Sequence, residues 1–175
     1  FSPDRKLEAV WSPNGESIAF RVNEKGRNTV MLMPVSGGVA RELCDCDAPS
    51  TWSRDGTYLI YRKFENALAR VFSLNIASGE KIRVLEHPRY NVYFPRLSLD
   101  DRWIAFVTVD GQFTPQIFAA PYYPSSKIEE HDWFPITDSG TMPVWSPDGN
   151  LVYFLSMRDG FRCIWAQRLN PGTRR

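Results

Sequence analysis

The chain of 175 residues carries 21 basic and 20 acidic side chains, a formal charge of +1, with no long run of either sign. That balance leaves no electrostatic footprint for nucleic acid, and no apolar stretch reaches membrane-spanning length, so neither a nucleic-acid partner nor membrane insertion is expected. Thirteen prolines, eleven glycines and 14% aromatic residues, arranged as short apolar runs between turn signals, exclude a helical bundle and point to an all-β protein.

In chain order, the first four short strands are predicted near residues 7 to 12, 16 to 22, 28 to 34 and 39 to 43, with Ser36, Gly37 and Gly38 turning the last hairpin. A second set follows near 50 to 53, 57 to 63, 69 to 75 and 80 to 86, and a third near 93 to 98, 102 to 109, 115 to 121 and 133 to 137. The fourth set has strands only near 142 to 146, 150 to 156 and 161 to 169, so its outer strand is missing. At the ends, "FSPD" reads as one more copy of a turn motif and "NPGTRR" as a turn signal with nothing to pair.

These sets repeat because one motif repeats. "WSPNGESIAF" from Trp11 returns as "WSRDGTYLIY" from Trp52, "LSLDDRWIAF" from Leu97 and "WSPDGNLVYF" from Trp145, at intervals of 41, 45 and 48 residues. A period of that size belongs to a propeller blade. The second column is always serine (Ser12, Ser53, Ser98, Ser146) and the fourth always Asn or Asp (Asn14, Asp55, Asp100, Asp148). The fifth, Gly15, Gly56, Asp101 and Gly149, suits a turn with positive φ, free of strain for Gly and tolerable for Asp. Two apolar columns follow, Ile18, Leu59, Ile104 and Val152, then Phe20, Tyr61, Phe106 and Phe154. Spacing of two puts both on one face of a strand. The residues between them, Ala19, Ile60, Ala105 and Tyr153, are also apolar, as in strands covered on both faces. The motif is scaffold.

The "W-S-x-D-G-x-x-[IVL]-x-[FY]" copies at Trp52 and Trp145, with near copies at Trp11 and Leu97, resemble the repeat of TolB-like β-propellers over residues 7 to about 169. The resemblance implies an all-β propeller of about four blades of four-stranded antiparallel sheets, at 7–46, 47–91, 92–139 and 140–169. These would form one segment, 1–175, of a larger or oligomer-completed propeller, here within a bacterial multidomain protein. Similar blades occur in a periplasmic protein, in propellers that gate peptidases, in oligogalacturonate lyase and in sensor regions of bacterial proteins. The resemblance therefore favours the periplasm or cell envelope, and its repeat specifies fold far better than function.

No catalytic set is left over once the scaffold is assigned. There is no G-x-S-x-G, only two histidines, His87 and His131, and no phosphate-binding glycine loop. Cys44 and Cys46 in "CDCD" lack zinc spacing and read as inert thiols, with Asp45 and Asp47 as solvated loop acids. No metal or cofactor is expected.

Candidate binding residues sit on connections. "EHPRYNVYFPR", 86 to 96, joins one blade to the next on the face around the channel, where His87, Arg89, Tyr90 and Arg96 offer donors and an aromatic surface. "KFENALAR", 63 to 70, is a second loop on that face, with Arg62 and Glu65 as contacts. In "IEEHDWFPIT", His131 and Asp132 form a third candidate group. The expectation is a noncatalytic binding or sensor module for a protein or peptide, with a small ligand or a second copy of the chain as further partners. The alternative is a propeller accessory to an enzyme, as a peptidase gate or an oligogalacturonate-lyase-like unit.

Overall fold

Alternating apolar strands closed by tight polar turns can only stack sheet on sheet, and this is the architecture found. The computed structural model describes residues 5–111 and 114–169, so "FSPD" and "NPGTRR" lie outside the described residues. The first sheet contains β1 (Arg5–Trp11), β2 (Ser17–Glu24), β3 (Arg27–Pro34) and β4 (Arg41–Cys44). The second contains β5 (Ala48–Trp52), β6 (Tyr58–Glu65), β7 (Leu68–Asn75) and β8 (Lys81–Leu85). The third contains β9 (Asn91–Leu97), β10 (Trp103–Val109), β11 (Pro115–Pro121) and β12 (Phe134–Thr137), and the fourth β13 (Thr141–Trp145), β14 (Leu151–Ser156) and β15 (Cys163–Arg168). Each sheet is antiparallel in sequence order, and the fourth has three strands among the described residues. The molecule is a four-sheet β-propeller segment.

Three cores lie between the four sheets. Ala19 and Val30 of the first sheet share a cluster with Trp52, Leu59 and Tyr61 of the second. Ile60 and Val71 on the opposite face of the second sheet join Ile104 and Phe106 of the third. Ala105 and Val107 then join Trp145, Val152 and Phe154 of the fourth. The strand period of two thus sends the Leu59 and Tyr61 columns back to one neighbour and the intervening Ile60 column on to the other. Burying a side chain such as Ile60 or Leu59, both fully buried, contributes about 1.5–3 kcal/mol.

The two ends break the pattern in the way this packing requires. Trp11, in the column of the buried Trp52 and Trp145, is 59% exposed, because among the described residues no sheet packs on that face of the first. Tyr153, in the column of the fully buried Ala19, Ile60 and Ala105, is 37% exposed, with Val144 and Ile164 open beside it.

Each repeat turn is a closed hydrogen-bond unit. The serine hydroxyl donates to the Asx side chain, Ser12 to Asn14 at 2.7 Å and Ser53, Ser98 and Ser146 to Asp55, Asp100 and Asp148 at 2.6 Å. The same hydroxyl accepts the N–H that opens the next strand, from Ser17, Tyr58, Trp103 and Leu151, at 2.9–3.0 Å. The fifth column is left-handed throughout, with φ of 73° at Gly15, 75° at Gly56, 55° at Asp101 and 68° at Gly149. Asp101 also bridges two repeats, since its carboxylate accepts the Arg54 N–H at 2.6 Å and ties the second turn to the third.

These bonds set the acid response. Hydrogen bonding to Ser53 and Thr57 lowers the Asp55 carboxyl, and bonding to Ser146 and Asn150 lowers Asp148. At Asp100 burial raises the pKa, but Ser98 and Arg102 outweigh it and bring it down to about 2. Asp101 moves the other way, raised chiefly by burial.

Ser53→Ala leaves Asp55 and the Tyr58 N–H without the hydroxyl and lowers stability by about 1–3 kcal/mol in urea unfolding, whereas Ser125→Ala on the exposed surface changes it by less than about 0.5 kcal/mol. Carboxyls lowered on folding stabilise fully above their unfolded value of about 3.9 and lose that contribution as pH falls through the folded value. Urea midpoints should therefore drop from about pH 4 towards pH 2, and replacing Asp55, Asp100 and Asp148 by Asn, the residue the first repeat already uses, should flatten that drop. An unchanged slope in the triple variant would contradict the assignment.

Candidate functional site

The four inner strands meet in turn, β1 on β5, β5 on β9 and β9 on β13. All four carry an irregularity three or two residues before the Trp column. Pairing shifts at Glu8 between Leu7 and Ala9, at Ser50 between Pro49 and Thr51, at Phe94 and Pro95 opposite Phe106, and at Met142 and Pro143 before Val144. Glu8, Phe94 and Met142 hold φ of 53°, 50° and 54°, a rare conformation for side chains of that size. Bulges re-aim side chains, and these line one cavity. It has a volume of about 380 Å³ and is walled by Glu8, Ser50, Phe94 and Met142 from the bulges, with Arg62 and Arg96.

The cavity is electrostatically uneven. Arg21 and Arg62 occupy the same place in their repeats, one residue beyond the Phe20 and Tyr61 column. Both approach one carboxylate, Glu8, with Arg21 Nη1 at 3.6 Å and Arg62 Nη2 at 3.9 Å from Oε2. Arg62 lies over the rings of Phe64 and Tyr93, 5.6 and 5.4 Å from their centres. Arg96 Nη1 donates to the carbonyls of Ser50 at 2.6 Å and Pro95 at 3.0 Å, while Trp145 Nε1 donates to the Arg96 carbonyl. Burial lowers the Arg96 pKa and Glu8 acts in the opposite sense.

Of the sequence candidates, the structure brings Arg62 and Arg96 together at this cavity. "KFENALAR" is a tight two-residue hairpin rather than a loop, with Asn66 and Ala67 at positive φ, and Arg62 projects from within β6. Glu65 pairs with Arg83 at 2.7 Å, in a network that continues to Glu86 and Lys127. His87 is buried and stacked on Tyr90 at 4.0 Å. Its Nδ1 accepts the N–H groups of Arg89 and Tyr90, which leaves Nε2 as the protonated nitrogen, 3.3 Å from Glu130. That imidazole is occupied in holding its own turn. Arg89 is exposed and lies over the Tyr90 ring. His131, 81% exposed, and Asp132 stand 3.7 Å apart on a 3-10 turn, Glu130–Asp132. Sequence reasoning missed Glu8, Arg21, Phe94 and Met142. The signal was there in "APSTW", "FPRL" and "MPVW", where a proline without N–H precedes the Trp column in three inner strands.

The "CDCD" segment differs from expectation on two counts. Cys44 and Cys46 are joined in a disulfide, because the chain bends at Asp45 and brings their Cα atoms to 5.4 Å. Asp47 is a clamp rather than a solvated acid. It accepts the Asn28 side-chain N–H at 2.7 Å and the Phe64 N–H at 2.6 Å, and its carbonyl accepts Arg21 Nη1 at 3.3 Å. First and second sheets are thereby fastened beside the arginines.

Known proteins share the fold. TolB from Acinetobacter baumannii superposes with a TM-score of 0.75 at 20% identity, over 97% of this chain and 44% of that one. A protein assigned as TolB from Agrobacterium tumefaciens gives 0.74 at 26% identity, over 93% and 60%. The chain is a TolB-like β-propeller segment. An uncharacterized protein of Agrobacterium fabrum is 30% identical over 170 residues, and the TolB-like segment spans about half of that relative, 49% of its length. No protein-family model matches the chain. The propeller domain of the Trilobed protease from Pyrococcus furiosus shares the fold at 12% identity, with a TM-score of 0.68. Among the described residues of the TolB-like segment, no helix is long and apolar enough to cross a membrane, and no group of His, Cys, Asp or Glu is placed to hold a metal ion.

The bridge in the TolB-like segment fixes a thiol count. In denaturant without reductant, one thiol per chain should react, Cys163, and three after reduction. Three reactive thiols before reduction of air-equilibrated protein would contradict the Cys44–Cys46 pairing.

Proposed function

We propose that the chain is a noncatalytic binding module of a TolB-like propeller, forming one domain over 1–175, and that it takes a peptide or protein segment into the axial cavity. The observation that carries this is the convergence of four bulged inner strands on one cavity of about 380 Å³, a size suited to a few residues of an extended chain. A scaffold holding Phe94 and Met142 at positive φ stores strain there, and strain of this kind concentrates at ligand sites. The likeness to TolB proteins supports a protein partner, and the Cys44–Cys46 disulfide supports an oxidising compartment such as the periplasm. The protease propeller among the structural relatives supports a second reading, an accessory domain that admits peptides to an enzyme.

Panning a random peptide library on the chain tests both. Selected peptides should bind the native chain and lose at least tenfold in affinity to Ala9→Trp, which fills the cavity from the exposed β1 position Ala9, and mass spectrometry should recover them intact. Equal binding to the filled variant, or no selection above background, would overturn the cavity as the binding site. Cleaved peptides would overturn the noncatalytic assignment.

A further inference from the structure

Arg62 is the least satisfied charge on the cavity wall. Its side chain is 14% exposed, yet its Nε is buried without a hydrogen-bond partner, and no hydrogen bond to its guanidinium is found among the described residues. Its only counter-ion contact there, Glu8 at 3.9 Å, is beyond hydrogen-bonding range and shared with Arg21. Arg96 adds a third guanidinium, and Asp47, the next acid, has both carboxylate oxygens committed to Asn28 and Phe64. Two guanidiniums, Arg62 and Arg96, therefore line a partly desolvated cavity with one carboxylate, Glu8, which Arg21 draws on from outside the lining. A buried guanidinium lacking hydrogen-bonded acceptors is unfavourable, and a planar two-oxygen anion meets its fork. The rings of Phe64 and Tyr93 hold the Arg62 plane in place, so little side-chain freedom would be lost when an anion docks.

We propose that the axial cavity is a carboxylate-recognition site in which Arg62 is the principal acceptor-binding group and Arg96 the second. The proposal rests on the binding-module function above and specifies its ligand chemistry. The carboxylate can come from a peptide C-terminus or from an Asp or Glu side chain. Phosphate, with tetrahedral oxygens and a higher charge, is the competing anion.

The direct reporters are the Arg62 and Arg96 Nε–H resonances in ¹⁵N spectra and the Met142 methyl resonance. The titrants are acetyl-Ala-Ala-Phe with a free C-terminus, its C-terminal amide, acetyl-Ala-Glu-Phe-amide and inorganic phosphate. One or both carboxylate peptides should shift the Arg62 Nε–H saturably, at least tenfold more tightly than the amide. Whichever carboxylate peptide binds more tightly identifies the source. Arg62→Lys, which keeps the charge and removes the fork, should weaken binding at least tenfold while leaving the spectrum folded. If the amide shifts Met142 as well as the carboxylates do, the cavity binds peptides but does not select the anion, and the carboxylate assignment fails alone. Tighter binding of phosphate also overturns it. If all four titrants leave Arg62, Arg96 and Met142 unmoved, the carboxylate assignment fails, and shifts confined to residues elsewhere would remove the axial cavity as the binding site too.

Discussion

Packing between neighbouring sheets is the constraint on which everything else in the molecule rests. A sheet with one apolar face needs one neighbour, whereas the central strands of this chain are apolar on both faces and need two. Ile60 and Leu59 are adjacent in sequence and fully buried in different cores. No local rearrangement can satisfy one and not the other, so the strand register, the radial stacking and the convergence of inner strands on an axis come together. The exposed Trp11 at one end and the exposed Val144, Tyr153 and Ile164 at the other are what this rule leaves where no neighbouring sheet lies among the described residues.

The axial site follows from that convergence at a local cost. Inner strands pair on one side only, which makes them the places where a bulge or a proline removes the fewest ladder bonds. Pro49, Pro95 and Pro143 lie there, and Phe94 and Met142, directly before the last two, are held in left-handed backbone. The turns at the opposite ends of the same strands are fully satisfied, with Ser and Asx side chains closing every one. Rigid turns and strained bulges divide the strand into an anchored end and a presenting end. Arg21 and Arg62 arrive from the neighbouring strands at the presenting end, and Arg96 from the inner strand β9 itself.

Most of the fold was legible because a recurrent column has a direct physical meaning. The left-handed φ at Asp101 follows from standing where three other repeats place Gly, and the burial of Ala105 and Ile60 follows from strand alternation. The Arg54–Asp101 bond was not legible, since it joins residues 47 apart through a side chain that replaces hydrogen in the other copies. The site was half legible. Arg62 and Arg96 stand out as donors near the predicted channel face, but alignment begun at Trp11 leaves out the three residues before it, where Glu8, Phe94 and Met142 mark the bulges. His87 misled for the opposite reason, because a histidine beside Arg and Tyr in a connection looks like a contact until its lone pair is found on its own backbone.

Native-state hydrogen exchange on the 175-residue chain tests the packing account most directly. Sheets covered on both faces should open only with the whole, so the slowest amides should lie in β6, β7, β10 and β11, with β2, β3, β14 and β15 exchanging faster. Protection in β14 and β15 equal to that in β10 would contradict the account, because it would mean that Val144, Tyr153 and Ile164 are covered in solution.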